Sequence, residues 1–341
     1  PKTSIEGQYG QMNSYRKDNS FTVSQSFAFP GLYINQNKLA KANIKSSEWQ
    51  FKSTRLQIAT EVKQLYQQLI YLNAKLKLQS YQDSLYGNFS KAAELRSSTG
   101  ETNRLEMISA HTQSMEIKNQ LKQTRADIDI ATQKLALLLN INTPLAPSDS
   151  VLKRLDWLPT ANEEAIAGNP SLGITAQQVE VSRLEKAVEK SKLMPDFSIG
   201  YFSQTMLGTQ DVNGTQRNYT SANRFTAIQA GISIPLWFVP GNARVKAARF
   251  KEKEAQATHE AWTKSLTGNY RSLLLELEKD RDNVDYYEKQ AIPEADLIIK
   301  QSTQSYRAGA MNYLDYLQSL GRALSIKQNY LEALNEYNQT V

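Results

Sequence analysis

Ser98-Thr-Gly100-Glu-Thr-Asn103-Arg-Leu105-Glu106 and Arg307-Ala-Gly309-Ala-Met-Asn312-Tyr-Leu314-Asp315 say nearly the same thing twice, with Gly309 following Gly100 by 209 positions. Each segment closes a long helix-compatible stretch with a glycine, the residue that most easily takes the left-handed conformation needed to reverse a chain. Three residues after each glycine stands an asparagine, part of the same turn motif, and three further on an acid, Glu106 or Asp315. The spacing predicts two helix-turn-helix reversals.

Working outward, the repetition extends over most of the chain, and a repeat of this length has to be recognised before any single element is assigned. Pro1-Lys-Thr-Ser-Ile5-Glu-Gly resembles Pro195-Asp-Phe-Ser-Ile199-Gly-Tyr, and Phe29-Pro30 with Lys38 to Ala42 resembles Ile234-Pro235 with Arg244 to Ala247. The offset between the copies grows along the chain, which is assigned to a longer polar turn around Gly208 to Tyr219 and to a small insertion near Pro293. Before each turn the pattern predicts a very long helix, over about 32–98 and 241–307, each close to 100 Å if unbroken. Ile58, Val62, Leu65, Leu69, Leu72 and Leu76 alternate steps of four and three, a coiled-coil seam. Leu273, Leu277, Val284 and Ala291 continue such a seam in the second copy as far as Pro293, where a kink or break is expected. Return helices are expected over 103–140 and 311–341, the second with Leu317, Leu324 and Leu331 one heptad apart.

Each copy opens with two alternating segments, at about 3–12 and 20–29, then 197–206 and 225–235. Within each segment the apolar residues, Ile5, Phe21, Val23, Phe27, Phe197, Ile199, Tyr201 and Ile228 among them, alternate with mostly polar or small ones. Segments of this kind suit strands of a transmembrane barrel, but from periodicity alone an ordinary soluble hairpin with one buried face fits better. Between the copies, Asn142 to Pro159 reads as a connector, and a further helix over about 161–194 leads to the third strand.

Composition removes whole classes. The chain has 341 residues, 40% hydrophobic and 22% charged, with no stretch of about 20 apolar residues, so neither a disordered chain nor a transmembrane helix fits. Cysteine is absent, which excludes disulfides and thiolate metal sites, and only two histidines are present. The net charge of +6 is spread along the sequence without blocks, so no nucleic-acid partner is expected. No Gly-x-Ser-x-Gly, Walker-type loop, His-Glu-x-x-His or nucleotide fingerprint occurs, so neither an enzyme nor a cofactor is expected.

The order strand, strand, long helix, glycine turn, return helix, given twice, resembles the TolC-like outer membrane factor family over nearly the whole chain. The most specific match is Tyr306 to Gln318, similar to the family's pattern at its second periplasmic turn, supported by Asn169-Pro170-Ser171-Leu172 and Pro195. The fold class implied is mainly α with a small β part: two tandem repeats of a β-hairpin plus a very long coiled-coil helical hairpin, assembled as a trimeric α/β barrel. On that plan residues 1–30 form a first barrel hairpin, 31–141 a first helical hairpin, 142–160 a connector, 161–194 the helix leading to the barrel, 195–236 a second barrel hairpin and 237–341 a second helical hairpin. By the repeat logic a helix equivalent to 161–194 should precede Pro1, so this chain is expected to be a piece of a longer polypeptide.

The resemblance implies an outer-membrane exit duct in a Gram-negative bacterium, a homotrimer in contact with outer-membrane lipid. It would work with an inner-membrane efflux pump and a periplasmic adaptor. The composition also resembles segments that follow a heavy-metal resistance-nodulation-division pump in one polypeptide, which would make heavy-metal ions the cargo. Asp315 aligns with an acid that helps ring the periplasmic entrance in such proteins, and Glu106 holds the equivalent place. Gln318 and Ser109 stand where a second acid is frequent in the family, so strong cation selectivity is not implied. Gly100, Asn103, Gly309 and Asn312 are the turn residues; Tyr9, Phe21, Phe29, Phe197 and Tyr201 are the expected membrane-facing aromatics. The competing reading of the acids is a solvated residue beside a helix start, favoured by the helix dipole. The competing reading of the whole chain is a structural coiled-coil or adaptor protein with soluble hairpins. His111 between Met107 and Met115, and the isolated His259, are explained more simply by helix packing than by metal ligation.

Overall fold

A computed structural model describes residues 2–12, 14–142, 145, 147, 148, 151–157 and 166–341. Contacts divide the chain into two compact units, Pro1–Lys52 with Ala167–Lys264, and Ser53–Ile166 with Ser265–Val341. The elements are β1 (Lys2–Gly10), β2 (Asp18–Phe27), α1 (Pro30–Ser98), α2 (Arg104–Leu139), α3 (Pro170–Ser191), β3 (Asp196–Thr205), β4 (Gly208–Val212), β5 (Thr215–Tyr219) and β6 (Arg224–Ser233). They are followed by α4 (Phe238–Tyr286), a π-helical turn (Tyr287–Ala291), α5 (Ile292–Arg307) and α6 (Tyr313–Thr340). The sequence's helix over 161–194 is found as α3 from Pro170, while positions 158–165 lie outside the described residues.

In the first unit the four long strands form one antiparallel sheet in the order β1-β2-β3-β6. The two copies of the repeat are joined through β2 and β3, which pair from Ser20↔Gln204 to Phe27↔Phe197. β1 and β6 are the edges, each paired on one side only among the described residues. Helix α3 packs on α1 through Val181 and Leu184 against Ala42 and Leu39, and Gln177 Nε2 donates to the Ala42 carbonyl at 3.0 Å. Asn35 donates to Ser191 Oγ at 2.8 Å. The Lys186 ammonium pairs with Glu252, which ties α3 to α4.

The stretch Gly208 to Tyr219, expected as a longer turn, is instead a second antiparallel ribbon, β4 with β5. It reverses at Asn213 and Gly214, both at positive φ (55° and 77°), with the Gly214 N–H donating to Asp211 Oδ1 at 2.8 Å. Asn-Gly between alternating residues is a strong hairpin signal, and here it outweighs the polarity that pointed to a loop.

In the second unit, Leu69 and Leu72 of the α1 seam are buried against Ala131, Leu135, Leu277, Val284, Ala333, Leu334 and Tyr337. Val62 and Leu65 are only partly buried, Ile58 remains 43% exposed and Leu273 is exposed, so the seam does not run the full length that its spacing predicts. Nor does Pro293 break the second long helix. It sits in the first turn of α5, directly after the π-helical turn, where Ile292 N–H reaches back to Tyr287 O. Proline cannot donate to the carbonyl four residues back and its ring crowds that carbonyl. A one-turn widening of the helix relieves both, and the chain passes through.

Candidate functional site

The two reversals share one local construction. At the first, Gly100 takes φ +77° and the Glu101 and Thr102 N–H groups return to Arg96 O at 2.8 and 3.2 Å. Asn103 then caps α2, its side chain accepting from the Glu106 N–H at 2.8 Å. At the second, Gly309 takes φ +72°, the Ala310 N–H returns to Ser305 O at 2.9 Å, and Asn312 caps α6 by accepting from the Asp315 N–H at 2.9 Å. Each asparagine satisfies a helix donor that has no partner within the helix, which is why asparagine at this spacing starts a helix.

The acids then differ. The Asp315 carboxylate in turn accepts from Asn312 Nδ2 at 2.7 Å, and its side chain is exposed. Glu106 is drawn in: its side chain is 20% exposed and lies 3.3 Å from Arg96 Nη1, and it also accepts the Thr102 hydroxyl. Gln318 and Ser109 are both exposed.

Behind the turns lies a group that sequence reasoning missed. Tyr306 and Tyr316 stack with centroids 4.6 Å apart and planes 6° from parallel. Phe89 meets Tyr313 and Tyr316 edge-on at 5.8 and 5.3 Å, and Tyr86 stands 6.4 Å from Phe89. Burial raises the Tyr313 hydroxyl pKa, with the nearby Glu106 charge adding to it, and burial raises that of Tyr86. These rings fasten α1 to the second hairpin just behind both turns. Their three-residue spacings, Tyr86 to Phe89 and Tyr313 to Tyr316, were the available signal.

The sheet has two unlike faces, since residues directly opposite in register share a side. One carries the rows Ile5-Val23-Tyr201-Ile228, Thr3-Gln25-Ile199-Ala230 and Phe27-Phe197-Ile232, with Phe21 at its further end. The other carries Ser4-Ser24-Gly200-Gln229, Lys2-Ser26-Ser198-Gly231 and Glu6-Thr22-Phe202-Ala227. The apolar face is open, with Ile228 81% exposed. Beyond Phe21 that face turns polar, where Arg224 donates to Ser203 Oγ at 2.8 Å and to Asn19 Oδ1 at 2.9 Å. Of the five expected membrane-facing aromatics, Phe21, Phe197 and Tyr201 stand on the apolar face and Tyr9 is at its polar end. Phe29 is not on the sheet. Pro30 starts α1 and ends the strand before it, leaving Phe29 half-buried with its ring close to Gly31.

His259 shares a hydrogen bond of 2.8 Å with Thr175, and His111 is exposed. Among the described residues, no three or more histidine, aspartate or glutamate side chains are grouped to hold a metal ion.

The chain combines a four-stranded sheet that has one apolar and one polar face with helical hairpins given twice in tandem, and this is the fold of known bacterial outer-membrane channels. The structure is similar to the Campylobacter jejuni CmeC outer membrane channel, with a TM-score of 0.81 at 15% identity over 99% of this chain and 75% of that one. It is similarly close to the open state of the Neisseria gonorrhoeae MtrE outer membrane channel, with a TM-score of 0.79 at 16% identity over 100% and 78%. Residues 161–341, just over half of the chain, match the outer membrane efflux protein family, and the chain belongs to that family. Its fold and family are those of channel proteins of the Gram-negative outer membrane, not of enzymes, and members of the family work with inner-membrane pumps and adaptors. The cobalt-zinc-cadmium resistance protein CzcC of Cupriavidus metallidurans is 22% identical over 286 residues. That match covers 83% of this chain and 65% of CzcC, so the chain spans a little under two thirds of that relative.

Proposed function

We propose that this chain is one subunit of a homotrimeric exit duct in the outer membrane, passing substrates that an inner-membrane pump delivers. The observation that carries the proposal is the open, two-faced sheet. Its apolar face suits lipid, its polar face suits a water-filled lumen, and its edges β1 and β6 need partners, because unpaired strand edges are not tolerated in hydrocarbon. Four strands are too few to close a barrel; three copies supply twelve. A soluble hairpin would bury the apolar face within the chain, and here it lies open.

Asp315, repeated by threefold symmetry, is the acid assigned to the narrow entrance. It is exposed and would present a ring of carboxylates to passing cations. Glu106 contributes less charge there because Arg96 offsets it. The resemblance to CzcC makes divalent heavy-metal ions the proposed cargo. The test is planar-bilayer conductance of the complete polypeptide that carries this chain, beside Asp315→Ala and Glu106→Ala. Channel events altered more by Asp315→Ala support both duct and entrance. Events that ignore both changes keep the duct and discard the entrance, and silence from an inserted preparation defeats the duct.

A further inference from the structure

Helices α2, α5 and α6 each open with an acid in the first turn, Glu106, Glu294 and Asp315, as the positive end of a helix favours. The two helices that leave the sheet, α1 and α4, have none there. Their first charged residues are all cations: Lys38, Lys41 and Lys45 before any acid in α1, and Arg244, Lys246, Arg249 and Lys251 before any acid in α4. All seven are exposed. Arg244 lies 3.6 Å from Glu189, which Lys192 also holds at 2.5 Å, and the nearby Glu252 is taken by Lys186. The other six cations form no ion pair among the described residues, while a hydrogen bond from Arg183 and, less, the charge of Lys45 lower the pKa of Glu180 in α3. The same end of the sheet carries one cation, Lys2, and one acid, Asp196.

These cations directly follow an exposed apolar step. Past Ser233, the last paired residue of β6, the chain stays apolar through Ile234, Leu236, Trp237 and Val239, with Leu236 80% and Trp237 87% exposed. The first copy has Tyr33 and Ile34 at the corresponding place, also exposed. At about 1.5 Å per helical residue, Arg244 and Lys246 lie roughly 10 Å beyond this step and Arg249 and Lys251 roughly 15–20 Å. An aromatic step that continues an apolar band, followed within about 10 Å by Lys38, Lys41 and Lys246, whose long side chains can reach back toward it, is complementary to an anionic phospholipid surface.

We propose that the starts of α1 and α4 form a basic collar that binds anionic phospholipid headgroups, with Leu236 and Trp237 seated at the boundary of the acyl region. This rests on the duct reading, because it needs the sheet to be inserted. It differs from the even spread of charge along the sequence: in both helices that leave the sheet the first charges after the apolar step are cations.

The test places the complete polypeptide in nanodiscs of phosphatidylcholine alone or mixed with phosphatidylglycerol. Each such cation near an anionic surface is worth about fivefold in partitioning. The thermal midpoint should therefore rise with phosphatidylglycerol, and the rise should shrink with salt. A variant with Lys38, Lys41, Lys45, Lys246 and Arg249 each changed to Gln should keep its midpoint in phosphatidylcholine and lose the rise, whereas the matching Lys→Arg variant should retain it. The emission that Trp237→Phe removes should be quenched by lipid brominated near the headgroup. Equal midpoints in the two lipids with conductance intact, or a rise that survives the Gln changes, overturn the collar and leave the duct standing. A chain that inserts in neither lipid overturns both.

Discussion

Arg96 Nη1 lies 3.3 Å from Glu106 Oε1 across the first turn, and this contact makes two nearly identical turn sequences electrostatically unequal. Asp315, at the matching position of the second turn, is held by the cap of Asn312 and stays exposed. In bilayer recordings Asp315→Asn is therefore expected to lower cation preference more than Glu106→Gln does. Arg96→Gln should release the Glu106 charge and raise cation preference. An Arg96→Gln channel that selects like the parent would show that Glu106 does not face the path.

Asn103 and Asn312 carry the helix starts. Replacing either by Ala should cost about 0.5–2 kcal/mol, and by Asp or Ser much less. Chemical denaturation of the assembled protein reads this directly, and equal losses for Ala and Ser would contradict a capping role.

Gly173 lies against Trp49, where an added Cβ would stand 2.5 Å from the ring. Gly173→Ala should therefore destabilise the first unit by about 1–3 kcal/mol through overpacking. Trp49→Leu should recover part of that loss in the double variant. Additive losses would mean that the two positions do not meet.

Asp285 accepts from Lys289 at 2.6 Å and from Arg154 at 2.6 Å, and these bonds, Lys289 foremost, lower its pKa from 3.8 to about 2. A carboxyl lowered in the folded state stabilises it above the unfolded pKa, and that contribution disappears as pH falls through the folded value. Stability should thus decline between about pH 4 and pH 2 through this group, and Arg154→Met should flatten that decline. Thermal midpoints across this range are the measurement.

At the alkaline end, Tyr71 and Tyr330 are raised to about 12, each chiefly by burial. A group raised in the folded state contributes below its unfolded pKa, near 10, and loses that contribution as pH rises through the folded value. Ultraviolet titration should show a late-ionising class of tyrosines that shrinks in Tyr71→Phe and Tyr330→Phe. Ionisation of all tyrosines near pH 10 without unfolding would refute their burial.

The sequence by itself determined what local chemistry decides. The glycines and asparagines of the two turns, the alternation of the strands and the tandem order of the elements all act within a few residues, where backbone conformation and side-chain spacing are legible. The tertiary structure decided what depends on partners distant along the chain. Pairing of β2 with β3 unites the copies and sets the two faces of the sheet. Packing chose which part of the α1 seam is buried, and Arg96 chose which of two equivalent acids keeps its charge exposed. The π-helical turn before Pro293 and the ribbon at Asn213-Gly214 stand between these cases, since their signals were present but competed with others. Burial, register and charge pairing are set by whichever distant groups the fold brings together, and linear spacing does not specify those.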